Sequence, residues 1–254
     1  MLSRLAGPLD GVGDFVALGV DSVRELFRRP FQWRETVEQS WAIARVSMVP
    51  TLLVAIPFTV LVSFTLNILL REIGAQDLSG AGAALGTITQ IGPIVTVLIV
   101  AGAGATAICA DLGARTIREE IDAMKVLGIN PVHRLVVPRI IASTGVAILL
   151  NSLVCTIGIG GGFVFSVYLQ DVNPGAFIAN LTLLTGFGEL MISMVKAALF
   201  GLFAGMVGCY QGLNVKGGAK GVGDAVNETV VYSFMALFVV NVVVTAVGLK
   251  ATAG

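Results

Sequence analysis

Two opposite charges interrupt an otherwise apolar segment in the last third of the chain. Glu189 and Lys196 are seven residues apart, so a helix would place them on one face about 10 Å apart along its axis. Charged groups within membrane segments are costly and usually face a cavity or a partner. We interpret Glu189 and Lys196 as candidates for a lipid path. The alternative is that Lys196 extends outward to the lipid headgroups.

Other residue types that could support catalysis or metal binding are not grouped in the sequence. The single histidine, His133, is next to Arg134 and far from any cysteine cluster. The glycine-rich run at 212–223 lacks the Gly-Lys-Ser/Thr ending of a phosphate-binding loop. The three cysteines lie in apolar segments without paired spacing: Cys109, Cys155 and Cys209. We therefore predict no catalytic residue, no metal and no cofactor bound by this chain.

A polar stretch, 111–131, separates two long apolar segments and has the pattern of a short helix at 117–127. Thr116 and Glu119 have the spacing of an N-terminal capping box, and Gly128 is a suitable C-terminal stop. Eleven helical residues span about 16 Å, which is too short to cross a bilayer. The sequence therefore predicts a helix that lies on the membrane surface or docks into another protein.

One face of this helix is apolar, and acidic residues occupy the others. The pattern fits a coupling helix that docks into a soluble partner, although a solvated loop helix has the same features. The candidate coupling residues are Arg115, Glu119, Glu120, Ile121, Asp122, Met124 and Gly128.

The composition identifies the class of protein in which these residues must be positioned. The chain has 254 residues, of which 56% are hydrophobic and 13% charged, and its mean hydropathy is +0.90. That is too apolar for a soluble domain and predicts an integral membrane protein. The formal net charge of zero argues against a nucleic-acid partner.

The apolar pattern predicts an all-α integral membrane protein with an N-terminal interfacial helix and five transmembrane helices. The region 1–45 includes an amphipathic helix at 13–29, and 250–254 is predicted to be a short extracytoplasmic tail. Four glycines in the third span, Gly158 and 160–162, are expected to bend or break it. The membrane region 46–249 has spans at about 46–70, 85–110, 135–168, 190–210 and 225–249.

Basic residues predict the orientation, because cytoplasmic loops are enriched in lysine and arginine. With the N-terminus inside, the outer side holds only Arg71 and Lys250, and Lys196 lies within a span. The coupling helix, between spans 2 and 3, is then cytoplasmic. The thirteen predicted cytoplasmic residues, of sixteen in all, are Arg4, Arg24, Arg28, Arg29, Arg34, Arg45, Arg115, Arg118, Lys125, Arg134, Arg139, Lys216 and Lys220.

Three segments carry a resemblance to a known family. REEIDAMKVLGINP at 118–131, PFQWRE at 30–35 and HRLVVPR at 133–139 resemble the MlaE/YrbE permeases, the membrane subunits of ABC-type lipid transporters associated with MCE proteins. The resemblance is specific to the actinobacterial (mycobacterial) YrbE branch, and within it to the A-type subunit. It covers essentially the whole chain.

The resemblance implies a multi-pass protein of the bacterial inner membrane that works with several partners. These are a cytoplasmic ABC ATPase dimer, which binds ATP and Mg²⁺, a second YrbE-type permease forming a heterodimer, and periplasmic MCE-domain proteins. By position, Glu119, Glu120 and Asp122 would engage the ATPase.

The function that this resemblance implies is import of fatty-acid-like lipids or sterols by a non-catalytic permease subunit. The alternative is a membrane scaffold or passive channel without an ATPase, which would not require a capped amphipathic helix on the cytoplasmic side. An intramembrane enzyme is a third possibility, against which the missing nucleophile and base pairs argue.

Overall fold

The computed structural model describes residues 3–28 and 30–252, with the side chains of 11–28 and 30–248, and this part of the chain contains helices and no strand. Short 3₁₀ and π segments occur at Gln76–Leu78, Thr87–Ile91, Val100–Ala105 and Val132–Val136. The α-helices are α1 (Ser3–Leu26), α2 (Trp33–Glu72), α3 (Ser79–Gly86), α4 (Gly92–Ile99), α5 (Thr106–Ile117), α6 (Glu120–Val126), α7 (Val137–Gln170), α8 (Pro174–Asn180), α9 (Phe187–Leu213) and α10 (Gly218–Thr252).

Five helical stretches in the described residues are long and apolar enough to cross a membrane. This confirms the predicted all-α integral membrane fold with five spans. The first four stretches extend beyond the predicted bounds at both ends, because hydropathy marks only the apolar centre of a helix that continues into polar residues. The stretches are Trp33–Glu72, Gln76–Ile117, Val132–Gln170, Phe187–Leu213 and Gly218–Gly248.

The expected break in the third span does not occur, because α7 continues through all four glycines. Two of these glycines instead allow close approach by other helices. A Cβ at Gly158 would collide with the side chain of Thr87, and one at Gly162 would lie 3.2 Å from Ser63 Oγ. Glycine in a membrane helix therefore serves packing here and does not interrupt the helix.

The chain divides into two compact units. The first comprises Met1–Val46, Val100–Val146 and Gly201–Ala236, and the second comprises Ser47–Ile99, Ala147–Phe200 and Leu237–Gly254. The second unit contains a cluster in which Phe177 of α8 is fully buried beside Ala83 and Val172.

Close helix packing in the first unit depends on a row of glycines on α9. A Cβ at Gly208 would lie 2.6 Å from the carbonyl oxygen of Ala105, and a Cβ at Gly212 would lie 2.7 Å from Leu112 Cβ. On the same side of α9, the Ser143 hydroxyl donates a hydrogen bond of 2.7 Å to the Gly201 carbonyl. These contacts fix the backbone of α9 against both α5 and α7.

The N-terminal helix predicted at 13–29 is observed as the longer α1. One side packs within the first unit, where Phe15 meets the ring of Tyr210 edge-on at 5.7 Å. The other side exposes a second apolar stripe at helical spacing, which suits a helix lying in the lipid interface. Its members are Val12, Val16, Val20, Val23 and Phe27. The interfacial placement itself stays a prediction.

Candidate functional site

The short helix predicted at 117–127 is observed as α6, but it begins three residues later than predicted. The predicted capping box is wrong, because Thr116 lies within α5. Its hydroxyl hydrogen-bonds the carbonyls of Leu112 and Gly212, each at 2.9 Å, and it is therefore not available to cap α6. The residue before α6 is Glu119, whose left-handed φ of 59° makes the sharp turn out of α5.

The predicted C-terminal stop of this helix is confirmed. Gly128 has φ +73°, and its N–H donates to the Lys125 carbonyl at 3.0 Å. The N–H of Ile129 donates to the Met124 carbonyl at 2.9 Å. This is the Schellman pattern, which requires a left-handed residue and favours glycine.

The predicted apolar face of the helix is not the surface that α6 offers to a partner. Ile121 is only 5% exposed, and Ile117 belongs to α5. The apolar side chains exposed at the end of α6 are instead Val126, at 88%, and Leu127, at 74%. Ile121 attaches α6 to its own chain, so the apolar residues that stay accessible are those at the far end of the helix.

Most of the charged residues predicted for coupling are engaged in ion pairs. The guanidinium of Arg118 lies 3.0 Å from the Glu120 carboxylate, and Lys125 Nζ lies 2.9 Å from Asp122. These pairs are exposed, so each contributes little to stability. Glu119 is exposed and forms no ion pair with the described residues, so its carboxylate is available to a partner.

A buried charge that the sequence analysis counted only as a cytoplasmic basic residue lies in the first unit. The Arg139 side chain on α7 is 0% exposed and forms an ion pair with Asp111 of α5. It also donates to the Leu135 carbonyl at 2.9 Å and lies 3.8 Å from Glu35 of α2. The sequence signal that could have identified it is an arginine inside the apolar run LVVPRII.

These charges continue from the buried arginine to α6. Arg115 lies 3.3 Å from Asp111 and 3.9 Å from Glu120, and therefore bridges the Arg139–Asp111 pair to the short helix. A displacement of α6 must change at least one of these contacts. The candidate coupling residue Arg115 is thus a link within the chain and not a free surface charge.

His133 has a structural role in the first unit, where both of its ring nitrogens contact backbone carbonyls. Its Nδ1 lies 3.1 Å from the carbonyl oxygen of Glu25, and its Nε2 lies 3.2 Å from that of Pro30. The neighbouring Arg134 donates to the Gln32 side chain at 3.1 Å. These contacts hold the connection between α1 and α2 against the start of the third span.

The predicted lipid-path pair lines one cavity of about 240 Å³ in the second unit. Lys196 is 4% exposed, so its side chain is buried and does not extend to the surface. Glu189 accepts a hydrogen bond of 2.8 Å from the Gly186 N–H, which caps the start of α9. The two charged groups face the same space without forming an ion pair with each other in the described structure.

Comparison with known proteins places these features in a family. A probable ABC transporter permease of Synechocystis sp. is 32% identical over 82% of this chain and 79% of its own length. The chloroplastic Arabidopsis thaliana protein TRIGALACTOSYLDIACYLGLYCEROL 1 is 26% identical over 88% of this chain and 64% of its own length. A probable ABC transporter permease of Rickettsia typhi is 31% identical over 61% of this chain and 60% of its own length.

The chain therefore covers less than two thirds of the Arabidopsis and Rickettsia relatives. The family model described as permease MlaE matches residues 36–247, which include all five spans except the ends of the first and last. The chain belongs to the MlaE permease family.

Proposed function

We propose that this chain is the permease subunit of an ATP-driven lipid transporter of the bacterial inner membrane. In this proposal it is the A-type member of a mycobacterial Mce-associated YrbE pair and imports fatty-acid-like lipids or sterols. ATP and Mg²⁺ bind to a separate cytoplasmic ATPase dimer, and periplasmic MCE-domain proteins deliver the lipid. Two relatives named as ABC transporter permeases and one named for a glycolipid support it.

The observation that carries the proposal is the attachment of α6. Its distal end exposes Val126 and Leu127, a small apolar surface of the kind that seats in a groove of a partner. Its proximal end is joined through Glu120 and Arg115 to the buried Arg139–Asp111 pair. An element that is apolar at its free end and tied by charges at the other end is suited to transmit the motion of a docked ATPase.

A passive channel or scaffold would have no use for this arrangement. Exposure of the Val126 and Leu127 side chains to water is unfavourable unless another molecule covers them. A solvated loop helix would be expected to expose polar residues at both positions. The attachment of α6 therefore favours an ATPase-coupled permease over the passive alternative.

The test is the double substitution Val126→Asp with Leu127→Asp in the full transporter. A central apolar contact contributes about 2 kcal/mol or more to a protein interface, and two carboxylates would also have to be desolvated. We expect the tagged variant to insert and to retain its second permease, but to lose the co-purifying ATPase and lipid uptake.

Lys216→Asp is the matched control, because it also adds an acidic charge at an exposed position but is not part of α6. It should retain the ATPase. If the double variant co-purifies with the ATPase and takes up lipid like the unmodified protein, α6 is a solvated loop helix. Uptake that continues without ATP in the unmodified transporter would instead favour the passive channel.

A further inference from the structure

Lys196 has an ammonium group without a counter-ion in the described part of the second unit. The side chain is 4% exposed. Glu189 lines the same cavity, but its carboxylate accepts from the Gly186 N–H and forms no ion pair with Lys196 within the described residues. A buried charge that lacks a partner is strongly unfavourable. In membrane segments such groups mark ion or substrate pathways more often than structural sites. The position therefore suits an anion that can approach the ammonium group more closely than Glu189 does.

The cavity beside Lys196 has a size that suits a headgroup. Its volume is about 240 Å³, below the range of roughly 300–1,000 Å³ that encloses a whole drug-sized ligand. Leu85, Ile88 and Ile192 form its apolar wall. Leu85 is 37% exposed at the edge, so an alkyl chain attached to a bound headgroup can leave the cavity along an apolar surface.

Few polar groups in the cavity are available to a ligand. The hydroxyl of Thr89 donates to the Leu85 carbonyl at 2.7 Å, and that of Thr245 donates to the Asn241 carbonyl at 2.6 Å. Both threonine hydrogens are therefore used within their own helices. The Ser193 hydroxyl accepts a hydrogen bond of 3.0 Å from the Asn151 side-chain amide. The donors that remain in the cavity lining are this hydroxyl, the ammonium of Lys196 and the side-chain amide of Gln90, which makes no hydrogen bond to the described residues.

The charge balance of the cavity discriminates among anionic headgroups. Glu189 lines the same space, so an incoming anion meets one ammonium and one carboxylate. A dianionic phosphate would be repelled by Glu189 more strongly than a monoanion. A neutral hydroxyl, as on a sterol, would leave Lys196 without a counter-ion. A single carboxylate matches the single ammonium group.

We propose that this cavity binds the carboxylate headgroup of a single-chain amphiphile, with Lys196 as its ion-pair partner and Gln90 as a second donor. The proposal rests on the proposed lipid transport, and it selects the fatty-acid-like class over sterols. Lys196 is then the residue that determines headgroup specificity. The alkyl tail is recognised only through apolar contact, which tolerates different chain lengths.

The first experiment uses the unmodified full-length protein in nanodiscs and needs no variant. Bound radiolabelled oleate is displaced by unlabelled oleate, oleyl alcohol, cholesterol or a lysophosphatidic acid with the same chain. A charge-assisted ion pair is worth about a tenfold or greater difference in affinity. Oleate should therefore compete about tenfold better than the alcohol and better than the other two. Equal competition by the alcohol, or stronger competition by the sterol or the phosphate lipid, would overturn the proposal.

The second experiment distinguishes the effect of the positive charge at position 196 from the effect of side-chain length. Lys196→Met should lower oleate affinity about tenfold and leave oleyl alcohol affinity unchanged, whereas Lys196→Arg should retain oleate binding. Lys220→Met, at an exposed position outside the cavity, is the matched control and should bind like the unmodified protein. Unchanged oleate affinity in Lys196→Met, or equal losses for acid and alcohol, would show that Lys196 is not the headgroup partner.

These measurements do not depend on an ATPase. A permease that binds oleate as described but never co-purifies with an ATPase would contradict the proposed function and leave the headgroup site intact. A permease that couples to its ATPase but binds oleate no better than oleyl alcohol would contradict the headgroup site alone.

Discussion

At the scale of single residues, the most demanding feature is the buried Arg139. Its guanidinium is fully buried and is neutralised by Asp111, whose side chain is 41% exposed. Its Nε has no hydrogen-bond partner within the described structure. A buried ion pair is often no more stable than an apolar pair of the same shape, but losing one partner is strongly destabilising. The Arg139 site is therefore sensitive to any change in Asp111.

Asp111→Asn should lower the free energy of unfolding by about 2 to 3 kcal/mol, because it leaves Arg139 buried with only the more distant Glu35 nearby. The loss should fall below that of a completely buried pair, since water reaches Asp111 and screens part of the interaction. Reversible unfolding in mixed micelles measures this change in the free energy of unfolding.

The matched control for this prediction is Asp122→Asn. This change breaks the ion pair with Lys125, in which the Asp122 side chain is 73% exposed. It should change the same free energy by less than about 0.5 kcal/mol. Similar losses in the two variants would mean that Arg139 does not depend on Asp111.

At the scale of elements, α9 is positioned by backbone contact. Gly208 and Gly212 lie about one turn apart on the helix, where Gly208 faces Ala105 just before α5 and Gly212 faces α5 itself. A methyl group at either position would overlap the facing backbone or side chain. Association of membrane helices depends on such close approach, because lipid tails remove the hydrophobic advantage of large side chains. The glycine row is therefore what holds α9 to α5.

Gly208→Ala should destabilise the protein by about 1 to 3 kcal/mol, since the added carbon must displace the Ala105 carbonyl. Gly145→Ala in α7 is the control, because a methyl group there would have no neighbouring heavy atom within 4 Å, and it should be neutral or slightly stabilising. Thermal stability in detergent, followed by size-exclusion chromatography, distinguishes the two. A Gly208→Ala protein as stable as Gly145→Ala would show that α9 and α5 are farther apart than described.

At the scale of the whole molecule, the five spans differ in how much of their apolar surface the chain itself covers. In an apolar stretch of 18 residues from each span, the share that is buried is 56% in Gln76–Ile117 and 50% in Val132–Gln170. It is only 22% in Trp33–Glu72 and 11% in Gly218–Gly248. The side chains of the first and last spans therefore contact lipid or another protein. In the proposed heterodimer these two helices are the surfaces available to the second permease.

The basic residues predict the orientation of the molecule, and this prediction can be measured directly. We expect Lys220 in the cytoplasm and Lys250, whose side chain lies outside the described residues, on the outer side. With single cysteines at these positions in a cysteine-free background, an impermeant reagent should label Lys250→Cys in intact cells. Lys220→Cys should be labelled only after permeabilisation, and the reverse pattern would contradict the orientation.

The sequence by itself determined the features that depend on neighbouring residues. Five apolar stretches of sufficient length were predicted and are observed, and a short polar helix was predicted between the second and third of them. Gly128 was predicted to end that helix and does so with a positive φ. Hydropathy, helix length and glycine conformation are local properties, so they can be predicted without knowing what packs where.

Only the tertiary structure decided which groups are buried and which are paired. Thr116 has the sequence spacing of a helix cap, but it bonds to a carbonyl 96 residues away. Ile121 has the spacing of a partner contact, but it is buried in its own chain. Arg139 counts as a cytoplasmic charge in the sequence, but it is buried against Asp111, 28 residues away. Each outcome depends on an atom brought close by helix packing, and the sequence around the residue has no information about that atom.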